Sequence, residues 1–150
     1  MYQKDYILRM IEMLGDMLAG IFGLVRKGDF PEASEKLDRI YYDMLKEDAA
    51  FFRSIPAEDL TRKLIDEHNY TNGHLEILAE LFNAEAELEE TQGNKSGCIE
   101  YSEKSLLLFE YIDLQQKTLS VERLDKMDDI RARILRLRDL EKKGSRDVET

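Results

Sequence analysis

Ala33, Leu37, Ile40 and Met44 follow one another at spacings of four, three and four, which sets them on one face of an α-helix. Glu32, Glu35 and Asp38 fall off that face and mark its solvent side. Asp29 or Phe30 opens this segment ahead of Pro31, a residue suited to the first helical turn. Upstream, Tyr6, Ile7, Leu8, Met10, Ile11, Met13, Leu14, Met17, Leu18, Ile21, Phe22, Leu24 and Val25 predict a helix from about Asp5, acting as N-cap, to about Lys27, with Gly28 ending it. These side chains cover far more than one 100° stripe. A helix apolar on most of its circumference is buried on two sides, so this one is central, lies in a dimer interface, or lines a groove that a ligand fills.

The same periodicity continues downstream. Residues 48–55 interrupt the pattern, but Ala49, Ala50, Phe51 and Phe52 are apolar enough to pack back on the core. A short third helix is predicted from Pro56 to about Glu67, with Leu60, Leu64 and Ile65 inward, and residues 68–73 form a helix-to-helix turn. A fourth runs from about His74 to Glu90, with Ile77, Leu81, Ala84 and Leu88 inward and Leu78 and Phe82 beside them. Gln92-Gly93 ends it. The fifth covers about Lys95 to Gln116 and buries Cys98, Ile99, Ser102, Leu106, Phe109 and Ile112, with small Cys98 and Ser105 permitting close approach. Ser120 caps a sixth, whose face is Val121, Leu124, Met127, Ile130, Ile134 and Leu137. The expectation is an all-α domain of about six helices over residues 1–143, with a polar, fraying tail at 144–150.

Composition narrows the function. Of 150 residues, 32 are acidic and 22 basic, a formal charge of −10 that opposes association with phosphate backbones and anionic lipid. Residues 121–150 hold 9 basic and 8 acidic side chains, so the first 120 carry −11. An Arg-bearing end facing an acidic body predicts docking of one on the other. A single cysteine, Cys98, makes no internal disulfide, as expected of a reducing compartment. The N-terminal segment is broken by Asp5, Arg9, Glu12 and Asp16, so it reads as neither a signal peptide nor a membrane span. A cytoplasmic protein is expected.

From Lys27 to Ile40 the chain resembles a tetratricopeptide repeat, a pair of antiparallel helices recurring about every 34 residues. Gly28-Asp29-Phe30 resembles the usual Gly-Asp-aromatic turn, Ala33 occupies the small crossing position, and Leu37 and Ile40 take the bulkier ones. A weaker match follows, with Gly93-Asn94-Lys95 as the turn, Cys98 as the small residue, and Ile99-Glu100-Tyr101 similar to the common Ile-Glu-Tyr run. The two turn glycines lie 65 residues apart, a little short of two periods, which implies a degenerate middle. From Tyr2-Gln3-Lys4-Asp5-Tyr6-Ile7 onward the chain also resembles an uncharacterised family of small bacterial helical-repeat proteins. The resemblance implies a right-handed cytoplasmic array with a C-terminal capping helix and lends no activity.

If the first hairpin is a repeat, its register puts Leu18, Phe22, Val25 and Arg26 on the concave side, with Phe82 and Glu89 among the corresponding positions of the fourth helix. The sharper expectation is a groove with an apolar floor and an Arg26 contact for a peptide carboxylate or acidic side chain. The blander one is that the last helix or a second copy of the chain covers those residues.

No catalytic motif competes with this reading. His74 has Ile77 and Leu78 one turn on, and His68 has Leu64 and Ile65 one turn back, so neither finds the partners a metal requires. Glu85, Glu87, Glu89 and Glu90 read as a solvated face. There is no phosphate loop and no Gly-x-Ser-x-Gly elbow. Arg131, Arg133, Arg136 and Arg138 do not share one face and are interleaved with acids, which argues against nucleic acid. The sequence therefore predicts a non-catalytic module, without cofactor or metal, that binds a protein, a peptide or a second copy of itself, with a metal-dependent or other enzyme as the remoter alternative.

Overall fold

Residues 2–117 and 119–149 are described by the computed structural model, with side chains over 6–117 and 119–144. They form α1 (Tyr2–Arg26), α2 (Phe30–Leu45), α3 (Ala49–Arg53), α4 (Leu60–Arg62), α5 (Asn72–Thr91), α6 (Lys95–Gln115) and α7 (Val121–Glu149). A 3-10 turn at Ala57–Asp59 and a π-helical turn at Lys63–Glu67 flank α4, and no strand occurs among the described residues. The class is all-α.

The predicted turns form for the predicted reasons. Gly28 sits at φ 81° and Gly93 at φ 84°, the left-handed region that glycine enters without a Cβ clash. Asp29 Oδ1 accepts from Glu32 N at 3.3 Å, and Asn94 Oδ1 from Gly97 N at 3.0 Å, capping α2 and α6. At the start of α5, Thr71 Oγ1 accepts from His74 N at 3.4 Å while Thr71 N donates to His74 Nδ1 at 3.1 Å. This is a reciprocal cap with histidine in the place glutamate usually takes, and it starts α5 two residues before the expected His74.

Short turns make α1 and α2, and α5 and α6, antiparallel neighbours. Met17 and Gly20, in the later half of α1, share a recess with Lys36, Ile40 and Asp43 of α2. The long α5 is the hub, packed against α1, α2 and α6. Helix α7 lies along α5 in the same direction, with Lys126 on Glu80, Arg133 on Asn83 at 2.6 Å and Arg136 on Glu90 at 2.6 Å. It runs opposite to α6, with Arg123 on Asp113, Arg131 on Glu110 and Arg138 on Glu103. The Arg-bearing end does dock on the acidic body.

The core holds Leu14, Leu18 and Ile21 of α1, Leu37, Ile40 and Tyr41 of α2, most of α5's apolar residues, and Met127, Ile130 and Ile134 of α7. Ala33 and Cys98 are both fully buried, Cys98 between Ala86 and Leu137. The close approach of α5 and α6 is recorded by Ser105, whose Oγ donates to Ala79 O at 2.7 Å.

The structure corrects several boundaries. There are seven α-helices among the described residues instead of about six, because the apolar run expected only to pack back is itself helical as α3 and buries Ala49 and Phe52. The third predicted helix is a succession of 3-10, α and π turns. Helix α1 already begins at Tyr2, which places Asp5 inside it; the capping role of the Asp5 side chain lies outside the described residues. The backbone of α7 runs to Glu149. Val121, assigned to its inner face, is exposed.

Candidate functional site

Helix α1 has a core side and a wide remainder. Leu14, Leu18 and Ile21 are buried, while Tyr6 is 63% exposed, Met13 54% and Leu8 52%. Arg9, Glu12 and Asp16 are exposed on the polar back. At 100° per residue the outer apolar positions divide into two flanks. One carries Leu8, Gly15, Ala19 and Phe22; the other carries Tyr6, Met10, Met13, Met17, Gly20 and Leu24.

Each flank borders a recess. On the first, Ile7, Leu8 and Ile11 face Gly73 and Glu76 of α5 and Gln116 beyond α6 across a cavity of about 380 Å³. It adjoins another of about 570 Å³, where Leu8, Ile11 and Glu76 meet Lys117, Ser120 and Arg123. Arg123 is 6% exposed, donating to Asp113 at 3.2 Å and to Gln116 at 2.8 Å. Burial raises the Glu76 carboxyl above its ordinary range, an effect that the Arg123 charge opposes. On the second flank, a recess of about 340 Å³ opens between Met17, Gly20 and Ile21 of α1 and Lys36, Arg39, Ile40 and Asp43 of α2.

The expected groove residues are not brought together on one open face. Phe82 is fully buried against Tyr41 and Tyr101, because α6 closes over the position that the repeat register left open. Leu18 is buried, while Phe22 and Val25 are half-buried. Arg26 is exposed. Glu89 is half-buried and accepts from Asn94 Nδ2 at 2.7 Å, which occupies it in the α5–α6 turn. The double recess at Ile7, Leu8 and Ile11 lies in the N-terminal half of α1, away from Phe22, whereas the recess against α2 lies at residues 16–21, next to it. Gly28, Phe30, Ala33, Leu37, Gly93 and Cys98, expected to set the packing, lie in or beside the turns and crossings already described.

A buried polar group was missed. Glu85, read as part of a solvated face, is 4% exposed. It accepts from Arg53 Nε at 2.8 Å, and the same guanidinium donates to Asp38 at 2.5 Å. Lys104 is buried as well, its Nζ donating to Arg53 O at 3.1 Å and lying 5.8 Å from the Phe82 ring centre. Burial raises the Glu85 carboxyl even though Arg53 acts to lower it. Tyr41 Oη is pushed up by burial and by the Glu85 charge, and it lies beside that carboxylate without completing a hydrogen bond of ordinary geometry. Tyr101 is pushed up to about 12 by burial and by Glu85. The only sequence hint was a pair of buried-looking neighbours, Ala84 and Ala86, on either side of Glu85.

The histidines do structural work. His74 Nδ1 caps α5, and burial lowers its pKa; His68 packs edge-on to Phe51 at 5.0 Å. Among the described residues no three His, Cys, Asp or Glu side chains cluster so as to hold a metal ion. No described helix is long and apolar enough to cross a membrane. Comparison with family models, curated proteins and solved structures gives no match to the chain.

Proposed function

We propose that this chain is a non-catalytic, tetratricopeptide-like helical module of the cytoplasm that binds another polypeptide through the outer face of α1. The observation that carries the reading is that Tyr6, Met13 and Met17 are all exposed along one flank of α1, a concentration of apolar surface that marks contact sites. Support for the repeat-like arrangement comes from the hub position of α5, from two hairpins closed by left-handed glycines, and from small buried Ala33 and Cys98 at the crossings.

A photo-activated cross-linking residue in place of Met13, compared with one in place of exposed Ala132 on α7, tests this in cells. Adducts from position 13 and none from position 132 are expected. No adduct from position 13 overturns the reading. A second reading, capture of an extended peptide in the double recess beside Leu8 and Arg123, is favoured by its size of about 570 Å³ on the larger side. It predicts that adducts form from position 8 in preference to position 13.

A further inference from the structure

We propose that the polypeptide bound by α1 is a second copy of this chain, with the two α1 helices antiparallel about a two-fold axis passing near Met13. The inference rests on the reading of α1 as a contact surface and names its occupant.

The first observation is spacing. Tyr6, Met10, Met13, Met17, Gly20 and Leu24 recur at four, three, four, three and four, the seam along which one helix packs on another. Three of the six are methionines, whose unbranched side chains adapt to a facing surface.

The second is shape. A two-fold axis at Met13 sets residue i of one copy opposite residue 26 − i of the other, so Tyr6 meets Gly20 and Met10 falls beside Met17. Tyr6 is the most exposed side chain of the stripe, and Gly20 lies in the recess of about 340 Å³ bounded by Asp16, Met17, Ile21, Lys36, Arg39 and Asp43. A projecting ring and an opening of suitable size thus occupy the two ends of one stripe, about 21 Å apart at 1.5 Å per residue. Isologous pairing inserts each ring into the other copy's opening, with Lys36 and Asp43 placed to bind its hydroxyl. Glycine weakens a helix interior relative to alanine, yet a Cβ at Gly20 would meet nothing within 4 Å. Nothing inside the monomer calls for glycine there, and the missing side chain leaves room for a ring from outside.

The third is charge. Arg9 and Asp16 lie seven residues apart on the same edge of the stripe, so the two-fold brings each Arg9 to the other copy's Asp16, within one residue of register. Helix α1 holds three basic and three acidic residues in a chain of −10. Two such acidic bodies meet with least repulsion on this neutral face.

Sedimentation equilibrium of the full chain from about 1 to 100 μM tests the proposal. Wild type is expected to dimerise within that range. Gly20→Leu fills the opening and improves α1 as a helix, so its circular dichroism and melting temperature should hold while its dimer weakens at least tenfold. Arg9→Glu and Asp16→Arg should each weaken the dimer about threefold to tenfold, as two exposed ion pairs lost per dimer would, and the double variant should restore it. A wild type monomeric at 100 μM overturns the proposal, as does a dimer indifferent to Gly20→Leu and to both charge reversals. A monomer whose position 13 still cross-links to a different protein overturns the second copy alone and leaves α1 as the contact surface. Absence of both the dimer and the cross-link overturns both.

Discussion

Replacing Arg53 with methionine removes the partner of a carboxylate that has nowhere else to turn. Glu85 is 4% exposed and held by Arg53 Nε at 2.8 Å, while the same guanidinium reaches Asp38 at 2.5 Å. Breaking a buried pair from one side costs about 3–5 kcal/mol. Here the Arg53 side chain is 29% exposed, so part of its charge is already solvated, and Glu85 can take up a proton; a loss of about 2–3 kcal/mol is expected. That is a large share of the ~5–15 kcal/mol that holds a domain folded, and it lowers the melting temperature by about 5–10 °C. The pH dependence gives the sharper test. Burial raises the Glu85 carboxyl above its unfolded value while Arg53 opposes the rise. An acid whose pKa is raised on folding loses stability as pH climbs from its unfolded value, near ~4.3, through the folded one. Without Arg53 the rise is larger, so the variant should lose less at pH 5 than at pH 7.5. Urea unfolding followed by circular dichroism measures both, and Arg53→Met with Glu85→Met should recover most of the loss. A loss below about 0.5 kcal/mol at pH 7.5, or one no smaller at pH 5, would refute the reasoning.

Three further outcomes follow from the packing. In Gly73→Ala the added Cβ comes within 2.4 Å of Ile7 Cγ2, so the Ile7 side chain must turn or α1 and α5 must part, and thermal unfolding should show a loss of about 1–2 kcal/mol, relieved by Ile7→Ala. Tyr41→Phe removes a buried hydroxyl that lies beside Glu85 without a hydrogen bond of ordinary geometry; chemical denaturation should find stability changed by less than about 1 kcal/mol. Cys98 is fully buried and its thiol is pushed up by burial, so an alkylating reagent should label it only once urea opens the fold, as mass spectrometry can follow.

Local patterns carried much of the fold. The faces Ala33–Leu37–Ile40–Met44 and Met127–Ile130–Ile134–Leu137 were readable because each residue's burial follows from its place on its own helix. Gly28 and Gly93 were readable because a left-handed turn demands them. The docking of Arg133 and Arg136 on α5 followed from the charge difference between the two parts of the chain. What stayed hidden depends on residues distant in sequence. Glu85 looks like its neighbours Glu87 and Glu89, and only Arg53, 32 residues earlier, makes its burial tolerable. Phe82 was assigned to an open groove because periodicity shows that a residue faces inward without showing which helix covers it. His74 was weighed as a metal ligand when its nearest partner, Thr71, makes it a cap.

In the working protein the outer face of α1 is either occupied or bare. Oxidation of methionines, read residue by residue by mass spectrometry, compares purified protein at about 1 μM with the same protein at about 100 μM and inside cells. Buried Met44 and Met127 should resist oxidation throughout, while Met13 and Met17 should oxidise readily when dilute and become protected at high concentration and in cells. Equal rates for Met13 and Met17 under all three conditions would contradict the account.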